Sequence, residues 1–499
     1  MAERMRPLDM TFLTRETAST PMHVATLAIF AAPEGGVDYE RLVALIHDRL
    51  AFVPRYRQRV RQLPGRLANP VWVDDPDFDL QFHVRRSALP RPGSMQQLRD
   101  LVARIMSRRL DRGRPLWETY VVEGLEAGRY AILSKSHPVL VDGTTVDLGQ
   151  LILDSSPDAA PTPEVLWHPG RIQSGAELLA ESLVDATRHP GVAADTLRGH
   201  VVSARQLAAS AHRLATELTG ASRVAATAGP LEVALSEQRR FATVETRLSD
   251  YRTVRGEHGG SVNDVVLATI SGALRSWLVT RAETVSRATR VRALVPMSVV
   301  DDEFAEPTSL GSQVTPHLLT LPLGEASPVM RLHQVSYAFK AHQETGRAVA
   351  ASRLTELAGF APTTFHLIGS RVAASAPPRA FDLVITNVPG PQFPLYAAGT
   401  ELLASYPVQP LLPGHALAIG VTSYNGTVYY GLDADRDGVP DLDVLAACIL
   451  ESLDELVEAS SPTRTRAPRG KGPAKKAAAR RTATKRAATK RTTRKRSGD

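Results

Sequence analysis

The run His23-Val24-Ala25-Thr26-Leu27-Ala28-Ile29-Phe30 is apolar at almost every position, the pattern of a strand covered on both faces. From Tyr39 to Leu50 the period changes, and Leu42, Val43, Leu45 and Ile46 gather on one side of a helix. The cluster Asp74-Asp75-Pro76-Asp77 breaks the chain, and Phe78-Asp79-Leu80-Gln81-Phe82-His83-Val84 then alternates as a half-buried strand does. Met95 to Arg108 reads as a helix, and Trp117 to Glu123 and Tyr130-Ala131-Ile132-Leu133 read as strands. Strand and helix signals mix up to about Asp154, which predicts an α/β domain.

Between about Pro161 and Pro230 the strand signal disappears. This stretch is rich in Ala, Ser, Thr and Arg, with helical runs at Ala176 to Ala186 and Val202 to Thr219 and breakers at Pro190-Gly191 and Gly229-Pro230. It reads as a helical crossover. Strands resume at Phe241 to Leu248, Arg292 to Val295, Thr315 to Leu323, Asp382 to Thr386, Ala416 to Tyr424 and Thr427 to Leu432. A helix over Asn263 to Thr280 starts with Ser261 as N-cap and Asp264 completing a capping box, and Leu442 to Glu458 forms a last helix. The expected organisation is an α/β domain over 1–160, a linker over 161–235 and a second α/β domain over 236–459. Residues 460–499 lose all hydrophobic periodicity. Built from Pro, Ala, Lys, Arg, Thr and Gly, they cannot bury enough surface to offset chain entropy and are expected to be disordered.

Charge follows the same boundary. The net charge is +7, but residues 462–499 hold 15 Lys and Arg against one Asp. The remaining 461 residues hold 44 basic and 51 acidic groups, so the body is mildly acidic. Only Lys135 and Lys340 lie in the body; the other six lysines are in the tail. Cys448 is the single cysteine, which excludes an intrachain disulfide and favours a cytoplasmic protein. No run reaches the roughly 18 apolar residues that span a bilayer, and Met1-Ala2-Glu3-Arg4-Met5 is no signal peptide.

The motif Lys135-Ser136-His137-Pro138-Val139-Leu140-Val141-Asp142-Gly143 follows one predicted strand. It resembles the H-H-x-x-x-D-G signature of the bacterial wax ester synthase/diacylglycerol acyltransferase family, with Pro138 in place of the second histidine. The resemblance runs from about residue 5 to 458. It includes Pro115-Leu116-Trp117, Asn263-Asp264, Val295-Pro296-Met297-Ser298, Asn387-Val388-Pro389-Gly390-Pro391 and Gly414-His415-Ala416-Leu417. It implies two chloramphenicol-acetyltransferase-like domains with a tunnel between them. It also implies transfer of an acyl group from acyl-CoA, a co-substrate rather than a bound cofactor, to diacylglycerol or a long-chain alcohol.

Attack of an alcohol on a thioester needs a base at the hydroxyl, and histidine suits that work because its pKa lies near neutrality. In the family the second histidine is that base, the aspartate anchors the loop through an arginine, and the glycine lets the backbone pass tightly. Pro138 can neither accept nor donate a side-chain proton. Two readings stay open: the loop shifts so that His137 serves as a displaced base, or the base is gone. Gly311-Ser312-Gln313 is a second departure, standing where the family has G-N-R.

Other histidines, His83, His317, His366 and His415, are expected to be structural. Asp142 reads as an anchor, Asn263-Asp264 as a helix start and Asn387 to Pro391 as a turn that also walls the tunnel. Asp433, Asp435, Asp437 and Asp441 lack the closing glutamate of a calcium loop and are expected to form a solvated turn, so no metal is predicted.

The tail suits polyanions through counterion release. An anionic inner-membrane or lipid-droplet surface is the preferred partner. Nucleic acid comes next, although the tail lacks aromatic rings on which bases could stack, and a merely solubilising extension is the plain alternative. The rival to an acyltransferase is an inactive relative that binds lipid or CoA and is tethered by this tail. A condensation enzyme of the same fold is disfavoured because no carrier domain accompanies it.

Overall fold

The computed structural model describes residues 3–5, 7–33, 35–62, 69–141, 146–158, 167–171, 174, 177, 231–298, 314–344, 362–375 and 380–461. Asp142, Gly143, Gly311-Ser312-Gln313, most of the expected linker and the basic tail lie outside these residues. In chain order the strands are β1 Glu3–Arg4, β2 Val24–Phe30, β3 Gln58–Arg61, β4 Val71–Asp74, β5 Val84–Ala88, β6 Trp117–Glu123, β7 Tyr130–Ser136, β8 Arg239–Arg247, β9 Val291–Ser298, β10 Val314–Leu321, β11 Leu383–Pro389, β12 Tyr396–Ala397, β13 Thr400–Val408, β14 Leu417–Tyr424 and β15 Thr427–Asp435. The helices are α1 Pro7–Arg15, α2 Tyr39–Arg49, α3 Leu80–His83, α4 Met95–Met106, α5 Leu148–Leu151, α6 Leu248–His258, α7 Val262–Thr280, α8 Pro328–Glu344, α9 Pro362–Ser375 and α10 Leu442–Ser460.

Two six-stranded sheets carry the fold, in the orders β12-β13-β2-β7-β6-β5 and β10-β9-β11-β14-β15-β8. Each sheet buries one side under helices. In the first, α4 turns Leu98, Val102, Ile105 and Met106 inward and starts with a full capping box between Ser94 and Gln97. In the second, α7 is buried almost all round, from Val265 to Leu278, and starts with the Ser261–Asp264 box expected from the sequence.

Strand β13 joins the halves. It follows β11 of the second sheet in the chain, yet it pairs antiparallel with β2 of the first, matching Val408 to Ala25 and Leu402 to Phe30. The expected second domain, 236–459, therefore lends a strand to the first. Pro407 of β13 rests on Gly420 and Gly431, which face each other across β14 and β15. A Cβ on Gly431 would stand 1.8 Å from the Pro407 carbonyl oxygen, so this approach needs a bare backbone.

The expected strand over Phe78 to Val84 is not formed. Asp79 accepts a hydrogen bond from the Gln81 N–H and starts the single turn α3, so extended pairing begins only at Val84. A local side-chain cap outcompetes the alternating pattern there. The aspartates after β14 also differ from expectation. Asp433 and Asp435 are buried, not solvated. Asp435 accepts from the N–H groups of Ser236, Asp437 and Gly438 and pairs with Arg239 at 3.5 Å. Burial raises the Asp433 carboxyl well above the usual range.

Candidate active site

Strand β7 sets the site by its two-residue alternation. Ile132 and Ser134 face a narrow cavity between the sheets, which Thr26, Pro391, Leu402 and Thr422 also line. Its interior is about 30 Å³, room for one or two waters. Lys135 points the other way, and its Nζ donates to the carbonyls of Ile105 and Arg108 at 3.0 and 2.6 Å, closing the end of α4. Ser136 returns to the cavity side, where its Oγ lies 3.3 Å from the Tyr56 hydroxyl. β7 ends at Ser136, so its alternation does not extend to His137 and Pro138.

His137 is 1% exposed and extended (φ −79°, ψ 136°). Its N–H donates to the Leu116 carbonyl at 2.9 Å, so the Pro115-Leu116-Trp117 element holds the motif directly. Its Nδ1 accepts from the Val139 N–H at 3.3 Å, capping a single 3-10 turn over Pro138–Leu140, and its ring meets Phe12 of α1 edge-on. A neutral imidazole that accepts at Nδ1 carries its proton on Nε2, so the nitrogen it could offer a substrate is a donor. Pro138 is buried at the first position of that turn, where the lost N–H is no loss.

Behind Ser136 lies a network that sequence reasoning missed. The Tyr56 hydroxyl donates to Asp147 Oδ1 at 2.6 Å, Asp147 Oδ2 accepts from the Gly149 N–H at 2.9 Å, and the Asp147 N–H donates to Thr364 of α9 at 2.9 Å. Burial raises the Asp147 carboxyl and lifts the Tyr56 phenol well above its ordinary value. Val24, Val141, Leu367, Ile368 and Val388 pack into one seam that ties the motif loop, α9 and β11 together. On the second domain's wall, the Asn387 amide donates to Asn263 Oδ1 at 2.8 Å, which joins two motifs 124 residues apart. Pro389 pairs with Ser423, and the Gly390 N–H donates to Ser423 Oγ at 3.3 Å. Asp264 itself is held by the Ser261 cap.

Three of the four spare histidines have partners that account for their place in the fold. His83 stacks on Trp117 with centroids 4.6 Å apart, and His415 bonds the carbonyls of Pro413 and Phe381. His366 meets Thr386 Oγ1 at 2.8 Å, and burial pushes it down to about 3. Among the described residues no group of three or more His, Cys, Asp or Glu could hold a metal ion.

Lys135 makes the site pH-sensitive. Burial lowers its ammonium from 10.5 to about 8. Between these values the unfolded chain binds a proton that the folded chain does not, so this group's stability is full above 10.5 and is lost as pH falls through 8. The melting temperature of the parent minus that of Lys135→Met should therefore increase between about pH 7.5 and about pH 9.5. A difference that stays flat would contradict this account of the lysine.

Two domains of chloramphenicol-acetyltransferase type with a histidine motif at their junction define an acyltransferase-like fold. Residues 5–266 match the wax ester synthase/diacylglycerol acyltransferase catalytic domain and residues 310–457 match the WS/DGAT C-terminal domain. The chain belongs to the wax ester synthase/diacylglycerol acyltransferase family. It is 34% identical over 462 residues to the probable diacylglycerol O-acyltransferase tgs2 of Mycobacterium tuberculosis, covering 91% of this chain and 99% of that one. It is 32% identical over 470 residues to tgs1 of the same species, covering 93% and 97%. The solved wax ester synthase/diacylglycerol acyltransferase of Marinobacter aquaeolei VT8 is similar at a TM-score of 0.62 and 28% identity, covering 92% of this chain and all of that one. The first condensation domain of the CDA synthetase shares the fold alone, at a TM-score of 0.52 and 14% identity.

Proposed function

We propose that this protein transfers an acyl group from acyl-CoA to the hydroxyl of a diacylglycerol or a long-chain alcohol, giving triacylglycerol or wax ester, at a turnover held down by Pro138. The family match supports acyl transfer, and the low turnover rests on His137, whose Nδ1 accepts from the Val139 N–H as the cap of the turn, beside Pro138, which offers no base. In this reading acyl-CoA and the acceptor bind between the domains, and the acyl chain enters by moving side chains around the narrow cavity. The acceptor hydroxyl loses its proton to water instead of to an imidazole.

Among the described residues no helix is long and apolar enough to cross a membrane. We assign recruitment to an anionic inner-membrane or lipid-droplet surface to the 15 basic residues after Ser461, with nucleic acid as the competing polyanion. The test is transfer from labelled palmitoyl-CoA by purified protein, supplied separately with dioleoylglycerol and hexadecanol. Ester above the protein-free control is the expected result. No ester from the parent or from Pro138→His, with either acceptor, would overturn the assignment.

A further inference from the structure

A cleft of about 470 Å³ lies along α4, where the first domain meets the start of β8. Arg104 and Arg108 come from α4, Arg239 and Arg240 from β8, and Arg436 from the turn after β15. Asp100 and Asp443 are the carboxylates on its wall, so five guanidiniums face two acids in a body that is otherwise acidic. Arg239 is committed to Asp435 and to the carbonyls of Ser236 and Ser19, and Arg436 reaches Gln238. Arg104, Arg108 and Arg240 form no ion pair among the described residues, and Arg240 Nε is buried without a hydrogen-bond partner.

Basic residues near a helix C-terminus ordinarily need no further explanation, because they complement its dipole. Here that work is already done by other groups. The last carbonyls of α4 are taken by Lys135 Nζ, by Ser107 Oγ on Ala103 at 2.8 Å, and by His23 Nε2 against Met106 at 2.8 Å. Arg240 and Arg436 belong to other elements altogether. The cleft also adjoins the motif, because the carbonyl of Arg108, on its wall, accepts from Lys135 Nζ at 2.6 Å.

We infer that this cleft binds phosphate, and that its ligand is the phosphorylated end of the acyl donor's coenzyme A. Guanidinium forks match phosphate oxygens in pairs, and an open cleft with three uncommitted arginines has that chemistry to offer. A coenzyme held there by its phosphates lies beside the end of α4, whose Arg108 carbonyl is bonded to Lys135 of the motif. The inference rests on the acyltransferase reading for the identity of the ligand. Its binding test needs no turnover, so the two fail separately.

The experiment is calorimetric titration of the full chain with CoA, 3′-dephospho-CoA and inorganic phosphate, alongside flotation with phosphatidylglycerol vesicles. The proteins are the parent, Arg104→Ala/Arg240→Ala, the exposed single variant Arg108→Ala, and Arg252→Ala on the outer face of α6 as a charge control. Loss of charge-assisted bonds should weaken CoA by roughly tenfold or more per arginine removed, leave Arg252→Ala at parent affinity, and make 3′-dephospho-CoA the weaker ligand in the parent. The basic tail is present in every protein and cancels. CoA affinity unchanged within about twofold in the folded cleft variants would overturn the inference. Loss of vesicle binding with CoA binding intact would also overturn it, by assigning the cleft to lipid headgroups.

Discussion

Pro138→His is expected to raise the turnover of acyl transfer by about 10²–10⁴, the usual worth of a positioned general base. The backbone is already suitable. His137 is extended, Ser136 is the last residue of β7, and position 138 opens the turn that His137 caps. Because a base acts on the proton that leaves in the transition state, the gain should appear in kcat with KM for palmitoyl-CoA little changed. The cost to stability is small. Proline at the first position of a turn contributes about 0.4–1 kcal/mol through the unfolded chain, and histidine forfeits roughly that. A variant that melts near the parent temperature and transfers no faster would show that more than the base is missing.

Gly431→Ala is expected to be strongly destabilising, because the added methyl meets backbone. The new Cβ would stand 1.8 Å from the Pro407 carbonyl oxygen and 3.0 Å from its carbon. Overpacking commonly costs about 1–3 kcal/mol, and the upper end applies here because the obstacle is backbone that cannot rotate away. Relief requires β13 to lift off the second sheet. Since β13 pairs with β2 and lends Leu402 and Ser405 to the cavity, the same shift should lower acyl transfer in both the parent and the Pro138→His background. Gly420→Ala meets side chains instead of backbone, the Pro407 ring at 2.8 Å and Gln409 Cγ at 3.2 Å, and should be milder. Equal melting temperatures for the parent and Gly431→Ala would contradict this picture of the domain junction.

What was legible in the sequence follows from how local its cause is. Continuous apolar runs gave β2, β6, β14 and β15, and the Ser261–Asp264 box gave the start of α7, because each signal lies within the element it forms. Strand β13 was not legible: its partner β2 is some 375 residues away, and Pro407 within it argues against a strand until the bare Gly420–Gly431 pair is seen. The strand expected at Phe78 to Val84 lost to the Asp79 cap. At the site, proline in place of the motif's second histidine was visible as a single letter. Which side of β7 each residue faces became clear only from its neighbours, and the Tyr56–Asp147–Thr364 chain carries no spacing that a reader of the sequence could recognise.

In the proposed mechanism His137 caps a turn and the working protein has no imidazole base. His137→Asn tests it most directly, because asparagine is a good cap but cannot act as a base. In the palmitoyl-CoA assay with dioleoylglycerol and hexadecanol, the variant is predicted to keep the parent's slow transfer within a few-fold and to melt near the parent temperature. A fall of about 10² or more in turnover at unchanged stability would make His137 the base, and would contradict the account.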